Sequence, residues 1–210
     1  MKIKICGMKY PENMQAVAAL QPDYLGFIFY PKSSRYCADT LKYEDIAAIE
    51  FPIQKVGVFV NETIKDVIRL STESGMDLIQ LHGDETAEYC ENLKLLDFRI
   101  IKAFGMDDRF DFSGLNEYEE VCDFFLFDTK SVNYGGTGKK FDWTLLKQYQ
   151  LQKPVFLSGG LDISDIPGVY DLIKDIPVHA LDFNSKLELE PGRKDLEKCR
   201  LLIESIRNGI

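Results

Sequence analysis

An aspartate ends a run of four apolar residues near the middle of the chain, in the stretch Phe124-Phe125-Leu126-Phe127-Asp128. An apolar run of this length followed by turn residues is typical of a buried strand in a parallel sheet. Side chains alternate faces along a strand, so Phe124, Leu126 and Asp128 are predicted to share one face. An aspartate at the carboxyl end of such a strand stands where α/β proteins place their chemistry. Asp128 is therefore a candidate functional residue, and capping of a turn is the alternative.

Glycine-rich loops follow this strand and the next one, at residues 134–138 and 158–160. Glycine-rich turns let backbone N–H groups converge on an anion, although a glycine pair also suits a tight turn. We expect phosphate binding by these loops and by the polar segment 182–185. The candidate binding residues are Gly136, Gly138, Ser158, Gly159, Gly160, Asp182, Asn184 and Ser185.

Short apolar runs alternate with helical patterns along the whole chain. Strands are predicted at residues 3–7, 24–29, 55–60, 77–82, 98–104, 124–128, 154–157 and 178–182. Helical segments are predicted at 11–20, 40–49, 63–74, 84–93, 113–119, after an N-cap at Asp142, and at 165–173 and 195–206. Strict alternation indicates a parallel sheet with helical crossovers.

Eight such units fit an α/β fold, a closed (β/α)8 TIM barrel, with residues 1–210 as a single domain. The alternative is an open doubly wound sheet. That fold would be expected to carry a glycine motif after its first strand, whereas the glycine loops here follow strands six and seven.

The carboxyl ends of barrel strands and the loops after them share one mouth. Besides Asp128 and the binding loops, we expect this mouth to collect Cys6, Arg35, Asn61, His82 and Lys102. His82 would contact either substrate or loop backbone. Lys102 would supply positive potential, form a satisfied structural contact or act as a Schiff-base lysine. His179 is expected to face the helices in a structural role.

Composition narrows the classes of partner. The net charge is −9 and no long basic run offsets it, so we expect neither nucleic acid nor an anionic membrane surface as partner. No apolar run approaches a membrane span and a strand follows Met1 at once, so we expect a cytoplasmic protein. With two histidines and five scattered cysteines, we expect free thiols and no metal site. Four of those cysteines are expected to be buried hydrophobes, namely Cys37, Cys90, Cys122 and Cys199.

Seven short motifs occur in order along the full length of the chain. They are KICG at 4–7, GFIFYPKSSRY at 26–36, VGVFVN at 56–61, QLHG at 80–83, FDTK at 127–130, GGTG at 135–138 with FDW at 141–143, and LSGGL at 157–161. Together they resemble the phosphoribosylanthranilate isomerase family of tryptophan biosynthesis. The eighth-strand segment departs from the family's usual Asp-Val-Ser-Ser-Gly-Val-Glu at Asn184 and Lys186.

The resemblance implies an Amadori rearrangement of N-(5-phosphoribosyl)anthranilate to 1-(2-carboxyphenylamino)-1-deoxy-ribulose 5-phosphate. Such chemistry needs an acid and a base but no cofactor, and its partner is a small phosphosugar-anthranilate substrate. By the resemblance Asp128 is the general acid, Cys6 is the general base, and Arg35 pairs with the anthranilate carboxylate. A monomer or a homodimer is expected.

A basic Cys6 must be a thiolate for part of the time, although an unperturbed cysteine has a pKa of about 8.5. Burial would raise this pKa and a nearby cation would lower it. Lys4, on the same strand face, and Lys102 are the candidate cations. We therefore expect Cys6 to be the most reactive thiol of the chain.

Other sugar-phosphate barrels are the alternative enzymes. An aldose–ketose isomerase of histidine biosynthesis carries an aspartate where Cys6 stands, and an aldolase would use a Schiff-base lysine. A metal-dependent epimerase would need more than two histidines. A barrel that only binds a phosphosugar as a sensor is the alternative from another class, but binding alone requires neither Cys6 nor Asp128.

Overall fold

A computed structural model describes residues 1–130, 140–172 and 174–209. Eight parallel strands pair in sequence order, and the first strand pairs with the last to close a barrel. The strands are β1 (Lys2–Ile5), β2 (Tyr24–Ile28), β3 (Gln54–Phe59), β4 (Leu78–Leu81), β5 (Ile100–Met106), β6 (Phe124–Thr129), β7 (Val155–Leu157) and β8 (Val178–Phe183). The predicted (β/α)8 barrel is confirmed.

Helical segments follow the barrel strands. The α-helices are α1 (Pro11–Ala18), α2 (Tyr43–Ala47), α3 (Ile64–Glu73), α4 (Ala87–Lys94), α5 (Ile166–Leu172) and α6 (Leu196–Asn208). Single-turn and longer 3₁₀ helices lie at Cys37–Asp39, Phe112–Tyr118, Trp143–Gln148, Ile163–Asp165 and Ser185–Leu187. In the described part of the chain, no helix combines the length and the apolar character needed to cross a membrane.

Polar caps decide where several of these helices begin. The hydroxyl of Thr63 accepts a hydrogen bond from the backbone N–H of Asp66, and Thr86 does the same for Tyr89. The predicted cap at Asp142 is confirmed, because its side chain accepts from the N–H of Thr144. Each cap satisfies a backbone donor that would otherwise lack a partner in the first turn. The helix predicted at 84–93 therefore begins only after Thr86.

Apolar side chains pack on both sides of the barrel wall. The inward cluster consists of Tyr24, Val56, Leu78, Ile101, Ala103, Phe124, Leu126, Phe156 and Ala180. Phe125 and Phe127 belong instead to the larger core between the strands and the helices. The predicted alternation of faces along β6 is confirmed, and it directs Asp128 toward the barrel axis.

His179 lies inside the barrel, so the expectation that it faces the helices is wrong. Val155 pairs with Val178 but Phe156 pairs with Ala180, so His179 is an extra residue at a bulge in β8. Such a residue breaks the alternation of faces. The imidazole Nε2 lies 2.7 Å from the hydroxyl of Tyr24, and its ring packs against Phe156. These contacts support a structural role.

Lys102 lies outside the barrel lumen, which corrects its placement at the mouth. Its neighbours Ile101 and Ala103 point inward, so Lys102 points toward the helices. Its ammonium contacts the carboxylate of Glu85 at 2.9 Å and donates to the carbonyl of Gly83 at 2.7 Å. Lys102 is therefore a structural lysine whose ammonium has its hydrogen-bond partners within the protein. It can neither form a Schiff base with a substrate in the lumen nor contact Cys6.

A two-stranded hairpin after the eighth barrel strand was not predicted from the sequence. It consists of β9 (Glu188–Glu190) and β10 (Arg193–Lys194), which pair antiparallel. The side-chain amide of Asn13 on α1 donates to the carbonyl of Lys194 at 2.9 Å, and its oxygen accepts from the Lys194 N–H at 2.7 Å. These bonds fix the hairpin against the body of the barrel.

The Lys102–Glu85 pair yields a stability prediction. Lys102→Met should lower the free energy of unfolding by about 3–5 kcal/mol, because it leaves a buried carboxylate without its cation. The kcat should stay unchanged, since Lys102 points away from the mouth. Urea unfolding and a steady-state assay measure the two quantities.

Lys174→Met is the matched control, because it breaks the exposed pair of Lys174 with Asp171 and should change stability far less. The double variant Lys102→Met with Glu85→Gln should recover part of the loss. An equal effect of Lys102→Met and Lys174→Met on unfolding would contradict the structural role of Lys102.

Candidate active site

A line of polar side chains crosses the barrel mouth, the end where the carboxyl ends of the strands meet. It contains Lys4 of β1, Cys6 directly after β1, and Asp182 of β8. The ammonium of Lys4 contacts Oδ2 of Asp182 at 2.9 Å, with both side chains buried. The other oxygen of Asp182, Oδ1, is buried and has no hydrogen-bond partner among the described residues. An unpartnered buried carboxylate oxygen is costly, so a ligand hydroxyl or amine is a fitting donor for it.

Cys6 follows β1 directly and lies at a close approach between neighbouring strands. Its N–H donates to the carbonyl of Phe183 at 2.8 Å, and its side chain is 4% exposed. A Cβ on Gly26 of β2 would come within 2.5 Å of the Cys6 sulfur. Glycine at position 26 is therefore what gives the thiol its space in the barrel wall.

Burial and charge act in opposite directions on Cys6. Burial raises the pKa of the Cys6 thiol, Lys4 and Lys194 lower it, and the carboxylate of Asp182 raises it further. The net direction is upward, so at Cys6 the effect of burial outweighs that of the neighbouring cations. Lys4 is the neighbouring cation as predicted, but its charge is shared with Asp182.

The same balance governs the two charged partners of Cys6. Burial opposes the charge on Lys4, yet Asp182 and Cys6 together raise the pKa of Lys4 above its ordinary value. Burial raises the pKa of Asp182, and Lys4 only partly offsets that effect. Asp128 adds to the increase at Asp182, which places these two carboxylates near each other at the mouth.

Asp128 lies at the mouth next to His82. Oδ1 of Asp128 accepts from the N–H of Thr129 at 2.8 Å, and Oδ2 lies 3.4 Å from Nε2 of His82. The other imidazole nitrogen of His82, Nδ1, is 2.9 Å from the side-chain amide nitrogen of Gln80. Nε2 of His82 therefore faces Asp128, while Nδ1 faces Gln80. His82 therefore contacts another site residue, which neither sequence interpretation foresaw.

Arg35 reaches the mouth from the loop after β2 and meets a carboxylate from the hairpin. Its Nε donates to Oε1 of Glu188 at 2.8 Å, and its Nη2 donates to Oε2 at 2.6 Å. Lys194 contacts the same carboxylate at 2.8 Å. The three side chains form the Arg35–Glu188–Lys194 cluster. Sequence reasoning missed Glu188 and Lys194, although the Pro-Gly turn between them signals a hairpin.

The loop after β7 has the backbone shape of an anion site. Gly159 and Gly160 have φ values of 96° and 68°, which are left-handed conformations that favour glycine. A Cβ on Gly159 would lie 2.6 Å from the hydroxyl of Thr129, so space also demands glycine there. Neither glycine N–H donates to an acceptor within the described chain. Ser158 is anchored, because its N–H donates to the carbonyl of Phe127 at 2.9 Å.

The other predicted binding residues differ in their position and contacts. The side-chain oxygen of Asn184 accepts from Lys194 at 2.7 Å, so this side chain supports the Arg35–Glu188–Lys194 cluster. Ser185 begins a short 3₁₀ helix and is half-buried. The candidates Gly136 and Gly138 lie outside the described residues.

Asn61 belongs to the scaffold of the mouth. Its side-chain oxygen accepts from the N–H of Asp84 at 2.7 Å, and its own N–H donates to Glu85 at 2.8 Å. Across residues 1–130, 140–172 and 174–209, no group of three or more His, Cys, Asp or Glu side chains is placed to hold a metal ion.

The remaining cysteines are buried, as expected. Cys37, Cys90, Cys122 and Cys199 all have no exposed surface. Burial raises the pKa of Cys37 and Cys199 to about 12, which makes these two thiols poor nucleophiles at neutral pH.

Comparison with known sequences places this arrangement in a family. The family model described as N-(5'phosphoribosyl)anthranilate (PRA) isomerase matches residues 3–205. The N-(5'-phosphoribosyl)anthranilate isomerase of Parabacteroides distasonis is 39% identical over 209 residues, covering 98% of this chain and 93% of the relative. The enzyme of the same name from Phocaeicola vulgatus is 38% identical, and the match covers 100% of both chains.

Solved structures agree with this relationship. The phosphoribosyl anthranilate isomerase of Thermus thermophilus superposes with a TM-score of 0.84 at 28% identity, with 100% of both chains covered. Monomers generated from the dimeric Thermotoga maritima enzyme give 0.79 at 30% identity, with 99% of both covered. A phosphoribosyl anthranilate isomerase in complex with reduced 1-(o-carboxyphenylamino)-1-deoxyribulose 5-phosphate gives 0.78 at 29% identity, again with 99% of both covered.

The electrostatics of Cys6 yield a pH prediction. Because burial raises its pKa, the rate of alkylation of Cys6 by iodoacetamide should still be rising above about pH 8.5, the ordinary pKa of a cysteine thiol. Lys4→Met should move this pH profile further upward, because it removes a cation that favours the thiolate. Peptide mass mapping at each pH identifies the modified cysteine and gives the apparent pKa.

Lys2→Met is the control, because Lys2 lies on the same strand face at the exposed end of β1. It should leave the profile of Cys6 in place. An apparent pKa of Cys6 below that of glutathione in the same titration would contradict the buried, neutral thiol.

Proposed function

This chain belongs to the N-(5'-phosphoribosyl)anthranilate isomerase family and is an isomerase of tryptophan biosynthesis, and on that premise we propose that Asp128 and Cys6 move the protons of its reaction. The observation that carries the proposal is their placement. Asp128 is the last but one residue of β6 and Cys6 follows β1, so they flank the mouth from separate strands with Lys4 and Asp182 in the same space.

Asp128 acts first, as the general acid. Its proton goes to the ring oxygen of the phosphoribosyl group, the bond between that oxygen and C1 breaks, and the open chain becomes a protonated imine. His82 orients the carboxyl group, with Nε2 at 3.4 Å from Oδ2. Proton donors held at the leaving oxygen in this way typically contribute roughly 10²- to 10⁴-fold in rate.

Cys6 then acts as the general base. Its sulfur takes the proton from C2, and the electrons of the C–H bond form the enol-amine. Asp128, now a carboxylate, takes the proton of the C2 hydroxyl, and the thiol of Cys6 gives its proton to C1, which yields the 1-deoxy-ribulose product and restores both groups. Lys4 and Lys194 provide the positive charge that favours the thiolate.

Substrate binding helps to form this thiolate through Asp182. A substrate hydroxyl that donates to the unpartnered Oδ1 of Asp182 withdraws negative charge from that carboxylate. The charge of Lys4 then acts more strongly on Cys6. Asp182 is thus assigned a binding role with an effect on the base.

The two anionic groups of the substrate bind to different hydrogen-bond donors, one to uncharged backbone N–H groups and the other to a charged side chain. The phosphate lies against the backbone N–H groups of Gly159 and Gly160, next to Ser185. The anthranilate carboxylate pairs with the guanidinium of Arg35, whose planar fork suits a carboxylate. Gly136, Gly138, Ser158 and Asn184 complete the proposed binding set.

We further propose that residues 1–210 form one domain, that the protein is cytoplasmic and that it works as a monomer or a homodimer with a phosphosugar-anthranilate substrate. All five cysteines are free and buried, which fits a reducing compartment. The dimeric Thermotoga maritima relative supports the homodimer as one of the two states.

Asp128→Asn tests the general acid. The variant should lose roughly 10²- to 10⁴-fold in kcat with little change in KM, because the amide binds but cannot deliver a proton. The assay follows the loss of substrate fluorescence as N-(5-phosphoribosyl)anthranilate is consumed. Asp108→Asn, an exposed aspartate in the loop after β5, is the control and should retain full rate. A kcat of Asp128→Asn within about threefold of the parent would remove Asp128 from the mechanism.

Arg35→Ala tests carboxylate recognition. It should raise KM about 10- to 100-fold and change kcat little, because a charge-assisted pair worth about 1.5–3 kcal/mol is lost. Lys32→Ala is the control, since Lys32 is an exposed cation in the same loop. If kcat fell while KM stayed constant, Arg35 would instead be stabilising the transition state.

A further inference from the structure

Glu188 connects the hairpin to Arg35 by a pair of side-on hydrogen bonds. Both carboxylate oxygens take part, with Oε1 at 2.8 Å from Nε and Oε2 at 2.6 Å from Nη2. Oε1 also accepts from the backbone N–H of Gly192 at 3.0 Å and from Lys194 at 2.8 Å. The side chain of Glu188 is only 5% exposed, so its carboxylate is held from several directions.

The Arg35–Glu188–Lys194 cluster carries an unbalanced positive charge. Two cations share one carboxylate, and the side chains of Arg35 and Lys194 are 13% and 0% exposed. Burial raises the pKa of Glu188, but Arg35 and Lys194 outweigh it and hold the pKa below its ordinary value. The carboxylate is thus ionised, and the cluster as a whole suits one additional anion.

Pairing with Glu188 occupies one edge of the guanidinium. Nε and Nη2 of Arg35 are engaged, while Nη1 finds no acceptor among the residues that the structure describes. A guanidinium is planar and its five N–H donors have fixed directions. A guanidinium fixed along one edge therefore presents the remaining donors in a fixed direction.

We propose that Glu188 is a positioning residue that orients Arg35 to receive the carboxylate of the substrate. The proposal rests on the carboxylate-binding role of Arg35 given above. It extends the site to the β9–β10 hairpin, and it makes Glu188 a determinant of the preference for carboxylated over uncharged arylamine substrates.

The fold keeps this residue in place through the hairpin. Gly192 forms the turn with φ of 87°, and a Cβ at that position would lie 2.6 Å from the side chain of Lys9. Lys194 pairs with Glu188 across the hairpin and is bonded through its backbone to Asn13 on α1. Glu188 thereby fixes the position of the Arg35 side chain relative to the barrel, although the loop that carries Arg35 has no regular structure.

The test compares two substrates that differ only in the carboxylate, N-(5-phosphoribosyl)anthranilate and N-(5-phosphoribosyl)aniline. Glu188→Gln should lower kcat/KM for the anthranilate substrate by about tenfold, mainly through KM, because the charge-assisted pair that orients Arg35 is weakened. The aniline substrate should keep its kcat/KM within about twofold. Product formation is followed by chromatography for both substrates.

Glu190→Gln is the matched control on the same hairpin. Glu190 pairs with Arg193 on the surface and should affect neither substrate. Glu188→Asp is the second variant in case Glu188→Gln does not fold, because it keeps the charge but is too short to hold both bonds to Arg35. It should reduce the preference for the anthranilate substrate in the same direction.

Four outcomes would overturn the inference. Equal losses for both substrates would indicate a purely structural role for Glu188. A lower KM for the anthranilate substrate in Glu188→Gln would mean that Glu188 competes with the carboxylate. If Arg35→Ala abolishes the preference while both Glu188 variants keep it, Glu188 does not position Arg35. An unchanged preference in Arg35→Ala would instead refute the proposed role of Arg35 itself, and this inference with it.

Discussion

The buried ion pair between Lys4 and Asp182 spans the seam where the barrel closes. Lys4 and Asp182 are direct partners in the register of β1 and β8, so the two side chains that meet inside the lumen come from the first and last strands. A buried pair of this kind is expensive to desolvate and strongly penalises the loss of either partner. Correct closure therefore supplies each charge with a counterion, and closure also brings Cys6 beside the loop that follows β8.

The same pair sets the chemical state of the mouth. Burial raises the pKa of the Cys6 thiol, Lys4 offsets part of this increase, and the negative charge of Asp182 adds to it. Any group that engages the free oxygen of Asp182 changes this balance. Under the proposed mechanism, the base is thus formed with the substrate in place, which limits the exposure of a reactive thiolate.

Positive charge at the mouth is local on a chain whose net charge is −9. The Arg35–Glu188–Lys194 cluster places two basic side chains around one carboxylate in a poorly solvated space, where electrostatic interactions are stronger than on the surface. In the proposed binding mode, backbone N–H groups of the loop after β7 provide a second, uncharged kind of anion site. Two anionic groups of one ligand can therefore be distinguished by the type of donor that each requires.

The sequence by itself determined the barrel and the direction of Asp128. Eight apolar runs separated by helical patterns specify alternating strands and helices, and the period of two along β6 directs Asp128 inward. Residue motifs along the chain were also sufficient to indicate the family. These features are local, since each depends on residues within one element or on their order.

Only the tertiary structure showed which charged side chains lie close together and on which side of the barrel wall they lie. Lys102 points outward and His179 inward, because a strand buried on both sides shows no alternation of polarity and a bulge leaves no clear mark in the sequence. Arg35 and Glu188 are 153 positions apart, and their contact exists because the hairpin after β8 folds back over the mouth. The pKa of Cys6 depends on burial and on distances to Lys4, Asp182 and Lys194, and such distances are set by closure of the barrel rather than by any local pattern.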